Sequence, residues 1–295
     1  MSTRARKGTA GMSAPQVHPT ISALREHLAA ARAKGARIAM VPTMGALHEG
    51  HLSLVRAARE HAEHVVVSIF VNPTQFAPTE DFDAYPRDEQ SDLDKLAAEG
   101  VESVFMPGRA EMYPEGFATS VSVGGPAEGL ESASRPHFFA GVSLVVTKLL
   151  LAALPDVAIF GEKDYQQLCV IRRFVRDLNI PVQVLGGETV REPDGLAMSS
   201  RNRYLDTATR ATAARLPEVL FDTARRLEAG APPAPLLDQA IAALAASGFN
   251  VDYLELREAD TLAPLASGTR SARLLVAARL GTTRLIDNVA LTLPA

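Results

Sequence analysis

Two histidines three residues apart, in the run His48-Glu49-Gly50-His51, are the residues whose types and spacing most directly suggest chemistry. An apolar stretch from Ile38 to Val41 stands before them and reads as a short buried strand. Leu52, Val55 and Ala58 follow at helical spacing. Positions three apart at a helix start share one face, about one turn apart. A helix start also offers backbone N–H groups without partners and the positive end of the peptide dipoles, both suited to an anion. Gly50 removes a side chain where a nucleotide is expected to lie against the backbone. Strand, turn, His-x-Gly-His and helix together are a device for gripping a nucleoside triphosphate. Alone, the same four residues would read as surface histidines at a helix cap; the strand and turn in front reverse that preference.

Other polar residues fall at comparable places. Ser68 to Phe76 ends a strand with Asn72 and Gln75, two neutral amides that can orient a hydroxy acid without changing protonation state. Phe160 to Leu168 again runs strand, turn, helix. There Lys163 can meet phosphate, Asp164 can cap the helix or bind ribose, and Gln166 and Gln167 point into the same region. A solvated Glu-Lys-Asp turn fits that spacing equally. Arg191 to Leu205 is a polar loop in which Met198, Ser199, Ser200 and Arg201 read as a flexible clamp for a triphosphate, its guanidinium placed to stabilise departing pyrophosphate. The acidic run from Asp81 to Asp88 could help to hold magnesium, but it reads first as a solvated loop.

The elements that position these residues alternate. His64 to Val71 is a continuous apolar run suited to a strand buried on both faces. Ser91 to Glu99 reads as a helix, Val101 to Met106 as a strand and Gly141 to Leu154 as a helix. Val157 to Phe160 (strand), Tyr165 to Leu178 (helix) and Val182 to Leu185 (strand) continue the pattern. Such alternation implies a parallel sheet covered by helices, with ligands beyond the carboxyl ends of its strands. After about Val190 come Ala-rich helical segments, Thr207 to Ala229 and Pro235 to Ser247, separated by a linker at Gly230 to Pro233. Strand-like runs follow at Val251 to Leu256, Ala272 to Ala277 and Thr283 to Leu291. The expected fold class is α/β: a Rossmann-like parallel-sheet domain (17–189) with a smaller C-terminal α+β domain (190–295). Residues 1–16 are expected to be a disordered extension.

Composition narrows the function classes. A net charge of −4 with interspersed signs argues against a broad nucleic-acid or membrane surface. The single cysteine, Cys169, excludes a disulfide framework and a cysteine-based metal cage, and its apolar setting reads as a buried, inert thiol. The longest apolar region, Phe138 to Leu154, is interrupted by Lys148 and too short to span a bilayer. The first sixteen residues lack the apolar core of a secretion signal, so a cytoplasmic protein is expected.

Taken in order, PTMGALHEGH, SIFVNPTQF, DFDAYPRD, GEKDYQQL and DGLAMSSRNRYL resemble the pantothenate synthetase (pantoate–β-alanine ligase) family. The similarity runs from about residue 17 through VDYLELR and LIDNVAL to the carboxyl end. It implies an AMP-forming ligase: pantoate is adenylated by ATP with release of pyrophosphate, and the amine of β-alanine then displaces AMP. Carried over residue by residue, Met44, Gly45, Ala46, Leu47, His48, Glu49, Gly50 and His51 would form the adenine and phosphate shelf. His51 would be the proton donor and His48 a phosphate contact, with Lys163 and Arg201 completing the catalytic set. Gly161, Glu162, Lys163 and Asp164 match a second ATP-binding run, and Val190 with Met198, Ser199, Ser200 and Arg201 a third. Gln75 and Gln167 match the substrate-binding positions. The resemblance also implies magnesium with the nucleotide, through ligands the sequence does not identify, and a homodimer in which the smaller C-terminal α+β domain is a lid on the Rossmann-like one. One departure is visible: the family often reads Arg-Pro-x-His-Phe-x-Gly-Val, whereas His137 here sits one place early and Phe138 fills the usual slot. The alternative is a nucleotidyltransferase of the same HxGH superfamily that transfers a nucleotide to a phosphorylated acceptor.

Overall fold

The computed structural model describes residues 14–76, 82 and 85–294. Most of the expected amino-terminal extension, and Asp81 and Asp83 of the acidic run, lie outside them. Strands β1 (Gln16–His18), β2 (Ile38–Thr43), β3 (His64–Ile69), β4 (Ser103–Phe105), β5 (Val157–Gly161) and β6 (Gln183–Gly187) form one sheet in the order β1-β4-β3-β2-β5-β6. Every pairing in it is parallel. β1 begins at Gln16, inside the segment read as an extension.

Both faces of the sheet are covered, which is why its strands read as unbroken apolar runs rather than alternating ones. In β2, Ile38 and Met40 join the core built with α1 (Ile21–Arg32), whereas Ala39 and Val41 face α2 (Glu49–Arg59) and α3 (Glu89–Ala98). Two short helices, α4 (Arg109–Met112) and α5 (Glu131–Ser134), lead to α6 (Phe138–Ala153) and α7 (Tyr165–Asp177), which pack with α1. From β2 the chain builds β3 and β4 on one side, while β5 and β6 are added on the other. The crossover direction thus reverses between β2 and β5, and a crevice opens beyond their carboxyl ends.

The second unit has an antiparallel sheet of β7 (Phe249–Glu258), β8 (Ser271–Leu280) and β9 (Thr283–Thr292), packed against α9 (Arg215–Glu228) and α10 (Pro233–Ala246). In β8, Leu274 and Val276 face these helices, while Leu275 enters the core of the larger unit. This sheet is therefore also covered on both sides, and β8 is apolar throughout its middle. Among the described residues no helix is long and apolar enough to cross a membrane.

Several boundaries differ from expectation for local reasons. The helix expected from Gly141 starts at Phe138, and Gly141 lies inside it for packing: a Cβ there would stand 2.3 Å from the Thr74 carbonyl oxygen. The segment from Thr207 to Ala229 is two helices, α8 (Thr207–Ala213) and α9, because Pro217 has no N–H to offer the Ala213 carbonyl. Pro233, read as the end of a linker, instead opens α10, where its fixed φ suits the first helical turn.

Candidate active site

The crevice is a cavity of about 830 Å³ at the carboxyl ends of β2 and β5, roofed by the 188–204 segment and by β9. His48 is the N-cap of α2 and His51 its third residue, with ring centroids 4.1 Å apart. The Nδ1 of His48 accepts from the Gly50 N–H at 3.1 Å, and that of His51 accepts from the His48 N–H at 3.3 Å. These bonds close a capping box built from two imidazoles. With Nδ1 an acceptor in each ring, the neutral proton resides on Nε2, which leaves each ring a donor.

Both imidazoles are held neutral. Burial first, then the adjacent His48 ring, Lys163 and Lys95, lower the pKa of His51 to about 3. Burial first, then Lys163, Arg203 and Lys95, lower that of His48 to about 4. The helix start favours the same direction, but desolvation is the largest cause. Gly50 lines the cavity, and a Cβ there would also lie 2.9 Å from Cε1 of His48, so the glycine makes room for the ring as well.

The rest of the shelf divides. Met44 lines the cavity and its sulfur accepts from Nε2 of Gln75 at 3.1 Å. Gly45, Ala46 and Leu47 lie behind the wall, where the Ala46 and Leu47 N–H groups both donate to the buried Asp92 at 2.8 Å. Glu49 points away and pairs with Arg56.

Gly161, Lys163 and Asp164 reach the cavity at the β5–α7 turn, and the Lys163 ammonium is 3.9 Å from Asp164. Asp164 occupies the N-cap position of α7 without making a side-chain cap, the first of the two roles its type allows. Glu162 is turned outward, 2.9 Å from Arg273 of β8. Val190, Met198, Ser199, Ser200 and Arg201 line the opposite wall. The segment carrying them is pinned rather than free: Arg191 holds the buried Asp287 in a bidentate pair at 2.7 and 2.9 Å. The Met198 N–H bonds the Val190 carbonyl at 2.9 Å. Ser199 accepts from the Arg201 N–H at 3.2 Å, which leaves its hydroxyl proton for a ligand.

Of the four amides, Gln75 keeps one N–H and one lone pair beyond its bonds to Met44 and Asn72, and Gln167 lines the cavity. Asn72 is buried and saturated, donating to Gln75 Oε1 and the Gly141 carbonyl and accepting from Tyr113 and Thr74. Gln166 is spent on the 126–131 loop, bonding Pro126, Gly129 and Glu131. Asp88 of the acidic run caps α3, accepting from the Ser91 N–H at 3.1 Å.

Sequence reading missed an apolar recess of Val142, Val145, Val146 and Leu149, one stripe of α6, beside Gln75 and Gln167. Its only signal was the 3,4 spacing within a helix apolar on all sides. It also missed Asp92 and Asp287, acidic residues that act through backbone and arginine partners. His137 lines the cavity, and its Nε2 is buried with no hydrogen-bond partner among the described residues.

One cavity thus joins two neutral imidazole donors, two cations from different segments and an amide-edged apolar recess. Proteins of known kind share this frame. The family profile described as Pantoate-beta-alanine ligase matches residues 16–290. The chain is 54% identical over 283 residues to pantothenate synthetase of Caulobacter vibrioides, covering 95% of this chain and 99% of that protein. It is 57% identical over 279 residues to the Mesorhizobium japonicum pantothenate synthetase, at 94% and 98% coverage. The crystal structure of pantothenate synthetase from Thermus thermophilus matches with a TM-score of 0.87 and 47% identity, covering 93% of this chain and 98% of that one. A pantoate-beta-alanine ligase from Francisella tularensis, crystallised with beta-gamma ATP and beta-alanine, matches with a TM-score of 0.77 and 33% identity over 94% of this chain and 97% of that one. With the order of the motifs, the sheet topology and full-length similarity in agreement, this chain belongs to the pantoate–β-alanine ligase family.

Proposed function

We propose that this chain joins pantoate to β-alanine at the expense of ATP, through a pantoyl adenylate. The observation that carries the reading is the junction, in one cavity, of the His48–His51 and Lys163 turns with a recess lined by Val142, Val145, Val146 and Leu149 and edged by Gln75 and Gln167. Pantoate has two geminal methyl groups beside hydroxyls and a carboxylate. An apolar stripe next to two neutral amides suits that shape and leaves the carboxylate unpaired and nucleophilic. Its oxygen attacks the α-phosphorus, the bond to the bridging oxygen breaks, and pyrophosphate leaves. The amine nitrogen of β-alanine then attacks the acyl carbon, the carbon–oxygen bond to AMP breaks, and the amine gives up a proton.

In the first step negative charge grows on the leaving oxygens. Lys163 and Arg201 approach from different segments, and fixed charges of this kind stabilise a loose phosphoryl transition state more than its ground state. The Nε2–H groups of His48 and His51 donate to phosphate oxygens. Incoming phosphate charge raises the pKa of His51 and makes it a better proton donor. Asp164 and Glu188 are carboxylates on the cavity wall, and one or two carboxylates with phosphate oxygens and water suit magnesium, which would screen the triphosphate. A transferase acting on a phosphorylated acceptor would have no use for the four aliphatic side chains of the recess.

A cytoplasmic homodimer completes the proposal. It rests on the family resemblance and on a lone, buried cysteine, and light scattering of the purified chain checks the assembly. The reaction is tested by pyrophosphate exchange. Pantoate without β-alanine should support exchange of labelled pyrophosphate into ATP, and adding β-alanine should yield AMP and pantothenate. Exchange that strictly requires β-alanine would refute a discrete adenylate.

A further inference from the structure

The turn between β2 and α2 adopts conformations that L-residues avoid. Gly45 has φ +80° and Ala46 has φ +51°. Glycine takes such a φ freely, but Ala46 does so at a cost and persists there only because its surroundings hold it, and the holder is on another element. Asp92, in the first turn of α3, is 2% exposed. Its two carboxylate oxygens accept from the Ala46 and Leu47 N–H groups, both at 2.8 Å. Lys95, one turn further along α3, donates to the Leu47 carbonyl at 2.9 Å and stands 3.8 Å from Asp92. A Cβ on Gly45 would meet Oδ2 of Asp92 at 2.9 Å, so glycine and aspartate are fitted to each other. Thr43 accepts from the Gly45 N–H at 3.2 Å while donating to the Ser68 carbonyl at 2.7 Å.

The N–H groups of Gly45, Ala46 and Leu47 are thereby engaged by protein, and the turn works as a bracket rather than as a phosphate cradle. The next residue is His48. Its N–H anchors Nδ1 of His51, so any rotation of the turn moves both imidazoles together. Asp92 lies outside the cavity wall and touches no reacting atom. We propose that Asp92 is a positioning residue for adenylation, its carboxylate fixing the 45–47 turn so that His48 and His51 present Nε2–H to the triphosphate. Lys95 is the outer half of the same clamp.

This role rests on the adenylation reading, which pyrophosphate exchange by the unaltered chain tests separately. Asp92→Asn is nearly isosteric but sets an amide NH2 against a backbone N–H. In the full chain, single-turnover adenylate formation should fall about a hundredfold, the scale on which a small misplacement acts, while pantoate affinity holds within about twofold, since the recess is untouched. Imidazole nitrogen resonances, which need no reaction, should show that the two rings have lost their uniform Nε2–H tautomer. A variant that melts earlier yet keeps the wild-type rate per folded molecule and unchanged imidazole signals would overturn the proposal. Should Asp92→Asn not fold, Lys95→Met decides. A smaller fall in the same rate with a partial tautomer change supports the clamp, and an unchanged rate with unchanged signals overturns it.

Discussion

His51 can be altered without dismantling the helix cap. In His51→Gln the new side chain retains an acceptor for the His48 N–H, as glutamine does at this position of a capping box, and retains a donor for phosphate. It cannot titrate. At saturating ATP the variant should adenylate slowly while ATP affinity changes little. His48→Asn keeps an N-cap acceptor, but its shorter side chain holds its N–H donors back from the phosphates, and it should mainly weaken ATP binding. Titration with ATP and single-turnover rates separate the two; loss of ATP affinity alone in His51→Gln would remove the proton-donor role. The same rings set a pH dependence. Their folded pKa values, about 3 and about 4, lie below the ordinary 6.5. Above pH 6.5 both states are neutral and nothing is lost. As pH falls from 6.5 toward 4 the unfolded chain takes up protons that the folded chain refuses, so stability drops by about 1.4 kcal/mol per pH unit for each ring. Urea unfolding between pH 7 and 5 should show this slope, and His51→Gln should flatten it.

At the scale of elements, a strap holds a cation over the cavity. Residues 188–204 carry Arg201, and their base is tied to β9 by Arg191 and Asp287. Asp287 is 2% exposed. Arg191→Ala strands that carboxylate, a change that typically costs about 3 kcal/mol or more. Arg191→Lys keeps the charge but not the two-pronged bond, and is the better probe of function. It should raise the KM for ATP and quicken tryptic cleavage at Arg201 and Arg203 while leaving pantoate affinity unchanged. Wild-type cleavage kinetics with a wild-type KM would show that the strap is held by other contacts.

The whole molecule is joined across the cavity by buried charge. Glu131 of α5 accepts from the Tyr253 hydroxyl of β7 at 2.9 Å, and Arg284 of β9 reaches both its oxygens at 2.8 Å while also bonding Asp252 at 2.6 Å. Burial, with Glu131 beside it, holds the Tyr253 hydroxyl well above its ordinary pKa, and the Arg284 guanidinium is held charged. A second tie runs from Asn288 of β9 to the Glu162 and Lys163 carbonyls at 2.9 and 2.8 Å, so the smaller unit grips the turn that presents Lys163. Glu131→Gln leaves Arg284 half-paired in a buried setting and should cost about 3 kcal/mol. Calorimetry should then resolve two transitions in place of one, because each unit retains its own core. A single transition at the unaltered temperature would show that apolar contacts such as Leu275 suffice to join the units.

Local rules made much of this protein legible in its residues. Apolar runs of strand length alternating with amphipathic segments specify a parallel sheet with both faces covered, and strand-turn-helix junctions place His48, His51 and Lys163 at one rim of it. Those signals are local in the chain, so the sequence carried them. Element ends were less legible. Gly141 looked like a helix boundary and is a packing contact, and Pro217 divides a helix that its alanines would have continued. Tertiary structure alone decided which polar residues keep hydrogen-bonding capacity open toward the cavity. Asn72, Gln166 and Glu162 have the same chemistry as Gln75, Gln167 and Asp164, yet the first three are consumed by Gly141, the 126–131 loop and Arg273. Partners that lie tens of residues away decide that outcome, and no local spacing encodes them. The same holds for Asp92 and Asp287, whose carboxylates act on a turn and a strap far from them in the chain. Type and spacing state what a side chain can do; which of its hydrogen bonds remain open is settled by the chain segments that fold against it.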